Sequence, residues 1–244
     1  MGITLFSQNL LETAAAVTVS PAALAAKPIT RISDRDKGPQ YEGGSAAQTD
    51  IDIDLSASPS PVTGWALVNH SIAGVTALLF GDNATPPTTQ RDSVALTGAD
   101  ILRTFASLTL RYWRLRIPVM AAAPKIGELL LGVPRTVTQN PFVRQSGVIT
   151  RGNVRRDLSP AGYGWAARLG AKRIRLPYGW TSLSEADLVT LEAAFDEVDQ
   201  GAKNLLIQDV EGTLRWVAWV SPELVPVPLG DEEFEVAVEL EEAL

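Results

Sequence analysis

A chain of 244 residues, 45% of them hydrophobic, with 19 Gly and 16 Pro, suits one large domain or two small ones and can bury a core. Its formal charge of −7 argues against a surface built to neutralise phosphate, so no nucleic-acid partner is expected. With no Cys and a single histidine, His70, the composition excludes disulfide stapling, Cys-ligated zinc, two-His metal sites and most His-based catalysis.

The start of the chain, Met1–Glu12, lacks the basic stretch of a signal peptide. The Ala-rich run 14–26 is broken by Pro21 and Pro28, and no apolar run nears 18 residues, so no membrane insertion is expected. Thr49–Leu55 alternates strictly, with Ile51, Ile53 and Leu55 on one side and Asp50, Asp52 and Asp54 on the other, which predicts a half-buried strand. Trp65–His70, Gly74–Phe80, Ser107–Ile117 (with Arg111, Arg114 and Arg116) and Ile126–Leu131 read as further strands. Turn formers separate them at Ser56–Pro61, Gly81–Thr89 and Ala121–Pro124. Short strands without a long helix predict an antiparallel sandwich or jelly roll over 1–133.

Residues 134–141 read as a proline-bounded linker, and 142–244 as a second unit. There Ser184 and Asp187 form a capping-box pattern. Leu188, Leu191, Phe195 and Val198 follow as one apolar stripe, predicting a helix over 184–200 closed near Gly201. A hairpin turning at Glu211-Gly212 comes next, then a final strand with Phe234, Val236, Val238 and Leu240 on one face and mainly Glu on the other. The whole is mainly β: a jelly roll followed by a small barrel or sandwich with one flanking helix.

Candidate chemistry is sparse. His70 has no nucleophile or carboxylate motif beside it and reads as a buried or turn-locking imidazole. The Asp50/Asp52/Asp54 row, spaced about 7 Å along one strand face, has oxygen ligands suited to Ca²⁺ but lacks the Gly and Glu of a calcium loop, and reads as a solvated face. Gly162-Tyr-Gly164 has no Rossmann setting, and P-loop, nucleophile-elbow and zinc motifs are missing. No enzyme activity, metal or cofactor is expected. Trp65 and Trp113 read as core, whereas Tyr41, in a Gly-rich loop, is the candidate exposed ring for a glycan.

Charge is strongly segregated. Residues 135–183 hold nine basic residues against one acid, Asp157, a balance of +8, while 184–244 hold sixteen acids against two bases, a balance of −14. This predicts a homo-oligomeric ring in which Arg151, Arg155, Arg156, Arg173 and Arg175 of one copy meet Glu233, Glu235 and Glu239 of the next. Pairing of both sets within one domain is the competing expectation.

Two stretches resemble known families. Asn9-Leu-Leu11, Thr49–Leu55, Trp65–His70, Arg111-Tyr-Trp-Arg-Leu-Arg-Ile117 and Lys125-Ile-Gly-Glu-Leu-Leu-Leu-Gly132 resemble the discoidin-like (F5/8 type C-like) jelly roll found in phage tail proteins. Leu183-Ser-Glu-Ala-Asp187, Gly201–Gly212 and Phe234–Glu242 resemble the tail-tube-related barrel of phage distal tail and lambda-type minor tail proteins, which place the barrel first. The resemblance implies a structural protein of a phage or prophage-derived tail tip, made in the host cytoplasm and carried in the virion. Its expected partners are the tail tube, tape-measure and baseplate-hub proteins. The alternative is an adhesin that binds a host surface glycan.

Overall fold

The computed structural model describes residues 2–36, 38, 40–141, 174–230 and 232–243, and the backbone alone of 149–151, 154–158, 164–168 and 173. The chain divides into two units, residues 4–135 and residues 1–3 with 136–243. It begins with β1 (Ile3–Phe6), then runs through β2 (Ala16–Ser20), β3 (Tyr41–Glu42), β4 (Thr49–Asp54), β5 (Val62–His70) and β6 (Ala73–Asp82). β7 (Gln90–Thr97), β8 (Ile101–Leu108), β9 (Tyr112–Ile117) and β10 (Lys125–Gly132) complete the first unit.

Two antiparallel sheets form this unit, one in the order β3-β10-β5-β8 and one in the order β2-β4-β9-β6-β7. The period-2 pattern of β4 shows directly in its burial: Ile51 and Ile53 are buried, while the three aspartates point outward. Trp65, Leu67, Leu129 and Leu131 from the first sheet meet Ile51, Ile53, Trp113 and Leu115 from the second in one core. This is a mainly antiparallel sandwich of jelly-roll type. The expected strand 107–117 is two strands instead. β8 ends at Leu108 and β9 restarts at Tyr112, a break closed by Arg111, whose N–H donates to Asn83 Oδ1 at 3.1 Å.

The second unit contains β11 (Arg135–Val137), β12 (Ile149–Arg151), β13 (Val154–Leu158), β14 (Gly164–Arg168), β15 (Arg173–Ser184) and α1 (Glu185–Glu197). β16 (Asn204–Gln208), β17 (Leu214–Trp219), β18 (Val227–Gly230) and β19 (Glu233–Glu242) follow. Its main sheet runs β11-β1-β16-β17-β19-β15-β12, with β18 also paired to β19; β13 and β14 pair only with each other among the described residues. The first strand of the chain thus lies in the sheet of the second unit, between β11 and β16. The jelly roll is an insertion between two neighbouring strands, not a leading domain.

The supposed linker is also structured, since β11 occupies its first half. Ser184 caps α1, accepting from Asp187 N–H at 3.2 Å, and the stripe Leu188, Leu191, Phe195 and Val198 is buried. The reciprocal half of the capping box is redirected. The Asp187 carboxylate accepts from Thr138 N–H (2.9 Å), Thr138 O–H (2.8 Å) and Gln139 N–H (3.1 Å), while Ser184 N–H donates to Gln139 Oε1 at 3.2 Å. The helix N-terminus thereby pins the strand exit at 138–139. Gly201, with φ +95°, ends the helical turn because a Cβ there would sit 2.7 Å from Trp219 O.

Candidate functional site

The outer face of the five-stranded sheet carries an ordered row of charged residues beside an open depression. Cross-strand register places Asp50 opposite Arg116 and Asp52 opposite Arg114, with Asp54 opposite Tyr112. Each aspartate lies in a guanidinium fork. Arg116 reaches Asp50 at 2.8 and 2.9 Å, Arg114 reaches Asp52 at 2.6 and 2.9 Å, and Arg111 reaches Asp54 at 2.8 and 2.9 Å. The carboxylate row is therefore a ladder of ion pairs rather than a bare solvated face or a cation site. The hydrogen bonds from Arg111 hold the Asp54 carboxyl below its ordinary range, and the same bonds raise the Arg111 guanidinium in turn.

At one end of this ladder lies an open depression of about 290 Å³, lined by Ala16, Thr18, Asp52, Asp54, Thr85, Pro87 and Tyr112 and floored by Ile53 and Trp113. The Arg111 guanidinium stacks 4.7 Å from the centre of the Tyr112 ring. The loop carrying Thr85 and Pro87 is fixed at its ends. Asp82 accepts from Thr88 N–H and Thr89 N–H, both at 2.8 Å, and from Thr89 O–H at 3.0 Å. Those backbone donors hold the Asp82 carboxyl below its ordinary value. The depression thus combines a partly buried ring, two hydroxyl side chains and two carboxylates whose charge is already matched.

Tyr41 is not an exposed ring. It is fully buried in β3, its backbone paired with Ile126, and its hydroxyl has no hydrogen-bond partner among the described residues; burial pushes the phenol up to about 12. The Gly-rich composition around it marks a turn beneath which the ring folds inward. The partly exposed ring on this face is Tyr112, and the Arg-Tyr-Trp-Arg text carried the signal: β9 alternates, so Trp113 inside implies Tyr112 on the outer side. Trp65 and Trp113 are buried as expected. His70 is buried too, accepting from Ile72 N–H at Nδ1 (3.2 Å) and donating from Nε2 to Ala99 O (2.9 Å). Burial pushes its imidazole below the usual value, so it locks a turn in its neutral form.

Of the expected assembly residues, Arg175 is used within the chain, pairing with Glu239 at 2.8 Å and Glu241 at 2.9 Å. Glu233 is exposed and Glu235 partly buried. The side chains of Arg151, Arg155, Arg156 and Arg173 lie outside the described residues. Among the described residues no group of three or more His, Asp or Glu could hold a metal.

A buried acid that sequence reasoning missed lies at the other end of the jelly roll. Glu128, on β10, is fully buried and accepts from Asn9 Nδ2 at 3.4 Å through Oε1, while Oε2 has no hydrogen-bond partner among the described residues. Burial raises its carboxyl to about 9 against the pull of the nearby Arg35 guanidinium.

No family model and no curated relative matches the chain. Solved structures resemble about half of it. Chitosan-binding module 1 from a Paenibacillus sp. IK-5 chitosanase/glucanase is 18% identical with a TM-score of 0.45, over 52% of this chain and 99% of that one. The module CpGH89CBM32-5 of Clostridium perfringens, solved with GalNAc-β-1,3-galactose, is 11% identical with a TM-score of 0.45, over 52% of this chain and all of the module. A Ruminococcus gnavus GH29 fucosidase is 17% identical with a TM-score of 0.46, over 52% of this chain and 27% of the fucosidase. The likeness is one of fold.

Proposed function

We propose that the jelly-roll unit captures a neutral carbohydrate in the depression around Tyr112. The observation that carries this reading is the meeting of an aromatic ring, the Thr18 and Thr85 hydroxyls and the carboxylates of Asp52 and Asp54, each held in a guanidinium fork. A sugar offers a C–H face that packs on a ring and hydroxyls that donate to carboxylate lone pairs. Because the forks already neutralise both carboxylates, the site suits an uncharged ligand. Asp54 is held below the ordinary carboxyl range, the reverse of a general acid's requirement, which supports binding without turnover. A glycan array probed with the full chain should show binding that Tyr112→Ala abolishes and Tyr112→Phe retains. Equal binding by Tyr112→Ala, or no glycan bound by the wild type, overturns the reading.

A second reading concerns where that capture takes place. We propose a structural component of a phage or prophage-derived tail tip, with the second unit forming a ring on the tail tube and the jelly roll decorating it. Two features support it. The second unit follows the order of the tail-tube resemblance, namely a capped helix, a hairpin turning at Gly212 and an acid-flanked last strand. The insertion also starts and ends on adjacent strands, β1 and β11, so a sheet engaged in assembly can display the jelly roll without a free terminus. Antibody labelling of purified tails should mark the tip beside the tail-tube, tape-measure and hub proteins. Particles without label there would sink this assignment and leave the carbohydrate reading standing.

A further inference from the structure

The depression is one end of a longer face. Beyond Tyr112 the five-stranded sheet continues over β6, where Ala77, Leu79 and Gly81 are buried and Leu78, Phe80 and Asp82 alternate with them on the outer side. Register sets Asp82 opposite Tyr112 and Phe80 opposite Arg114. Phe80 is thus the diagonal neighbour of Tyr112, about 7–8 Å away across the strands. It is partly exposed and lies outside the buried cluster that joins the two sheets, so its ring contributes nothing to that core.

The two rings have the same surroundings. The Arg111 guanidinium lies 4.7 Å from the centre of the Tyr112 ring, and the Arg116 guanidinium lies 5.1 Å from that of Phe80. Each guanidinium also grips one carboxylate through Nε and Nη2, Arg111 that of Asp54 and Arg116 that of Asp50. Nη1 of each is therefore the donor that remains for a sugar hydroxyl. Between the two stations Arg114 closes its own fork on Asp52, and its Nη1 reaches Asp50 at 3.4 Å. Three guanidinia face three carboxylates along this row, so it carries no excess charge. From Asp54 to Asp50 it runs about 13 Å at the rise of a strand, which is longer than one sugar ring.

We propose that the carbohydrate site continues from Tyr112 to Phe80 and Arg116, and that its ligand is a neutral oligosaccharide with consecutive rings at both stations rather than a single terminal sugar. This extended site presupposes that the depression takes a sugar. Each station offers a ring for a C–H face, a carboxylate for a hydroxyl that donates and a guanidinium N–H for a hydroxyl that accepts. The matched forks give the face no preference for either sign of charge. A ring held by a stacked guanidinium also has little freedom left to lose on binding.

Titration calorimetry on the full chain tests it, with glucose, galactose and N-acetylglucosamine each supplied as single sugar, β-1,4-linked dimer and trimer. In a series that binds, the trimer should bind roughly tenfold or more tighter than the single sugar. Phe80→Ala should remove that gain and leave the affinity for the single sugar unchanged, with circular dichroism and melting as in the wild type. Phe80→Leu, which keeps an apolar side chain on the strand, should behave the same way, whereas Tyr112→Ala should abolish binding at every length. A single sugar that binds as tightly as its trimer, or a gain that survives in both Phe80 variants, overturns the extended site and leaves capture in the depression intact. No binding in any series also overturns it, and the glycan array then decides capture in the depression by itself.

Discussion

The two units handle charge in opposite ways. On the outer sheet of the jelly roll every aspartate of β4 faces an arginine of the 111–116 segment, and three forks close the account within one face. In the second unit most basic residues precede the helix and most acids lie in it or after it, and Arg175 meets Glu239 and Glu241 within the chain. Interleaved charge is matched across neighbouring strands of one sheet, whereas the second unit separates its charges into blocks along the chain.

The largest expected effect tests whether the jelly roll is self-contained. Trp113→Ala removes a fully buried ring between the two sheets and should cost about 3–5 kcal/mol. Calorimetry should show the jelly-roll transition fall while that of the second unit stays. A common shift of all unfolding signals would show that the units melt as one.

Glu128 gives the next effect, read as pH dependence. Its folded carboxyl is raised to about 9, so the native state holds a proton that the unfolded chain releases above its ordinary 4.5. This contribution is full below that value, and stability is lost as pH rises from there towards 9, at up to about 1.4 kcal/mol per pH unit. Glu128→Gln keeps the shape without the titration. It should flatten that slope and stabilise the protein at pH 8; an unchanged slope would mean that the acid is ionised in place.

Asp187 sharpens the contrast from the other side. It is buried and accepts three hydrogen bonds from Thr138 and Gln139, so Asp187→Ala should cost about 2 kcal/mol. Trypsin should spare Arg135, which is in β11, in the wild type and cut there early in the variant. Early cleavage at Arg135 in the wild type would restore the linker reading of this segment.

The smallest effect belongs to the ladder. Arg114→Ala opens one fork at a partly exposed site and should cost about 1 kcal/mol or less, with the loss shrinking in high salt. A cost several times larger, insensitive to salt, would show that the ladder is a structural element of the sheet rather than a dressing on its face.

Local patterns were legible wherever a residue's neighbours in sequence are also its neighbours in space. The alternation of Thr49–Leu55 predicted which side of β4 is buried, and the spacing of Leu188, Leu191, Phe195 and Val198 predicted the buried side of α1. Gly201 and Gly212 marked their turns because only glycine adopts those positive φ values cheaply. Tyr41 was misread for the complementary reason: composition marks a turn but carries no information about which ring the turn folds under.

What the sequence by itself determined is therefore the mainly β character, the jelly-roll strands with alternating patterns, the single helix with its stripe and cap, and the imbalance of charge along the chain. Period and capping are properties of a few consecutive residues, and they survive whatever the rest of the chain does. Tertiary structure alone decided that β1 joins β11 and β16, that Asp187 caps a strand exit, that Glu128 is enclosed as an acid, and that the aspartates of β4 meet arginines more than fifty residues away. Each of these is a pairing between segments far apart in the chain. Register and burial there follow from how whole sheets stack, which no local window of sequence contains.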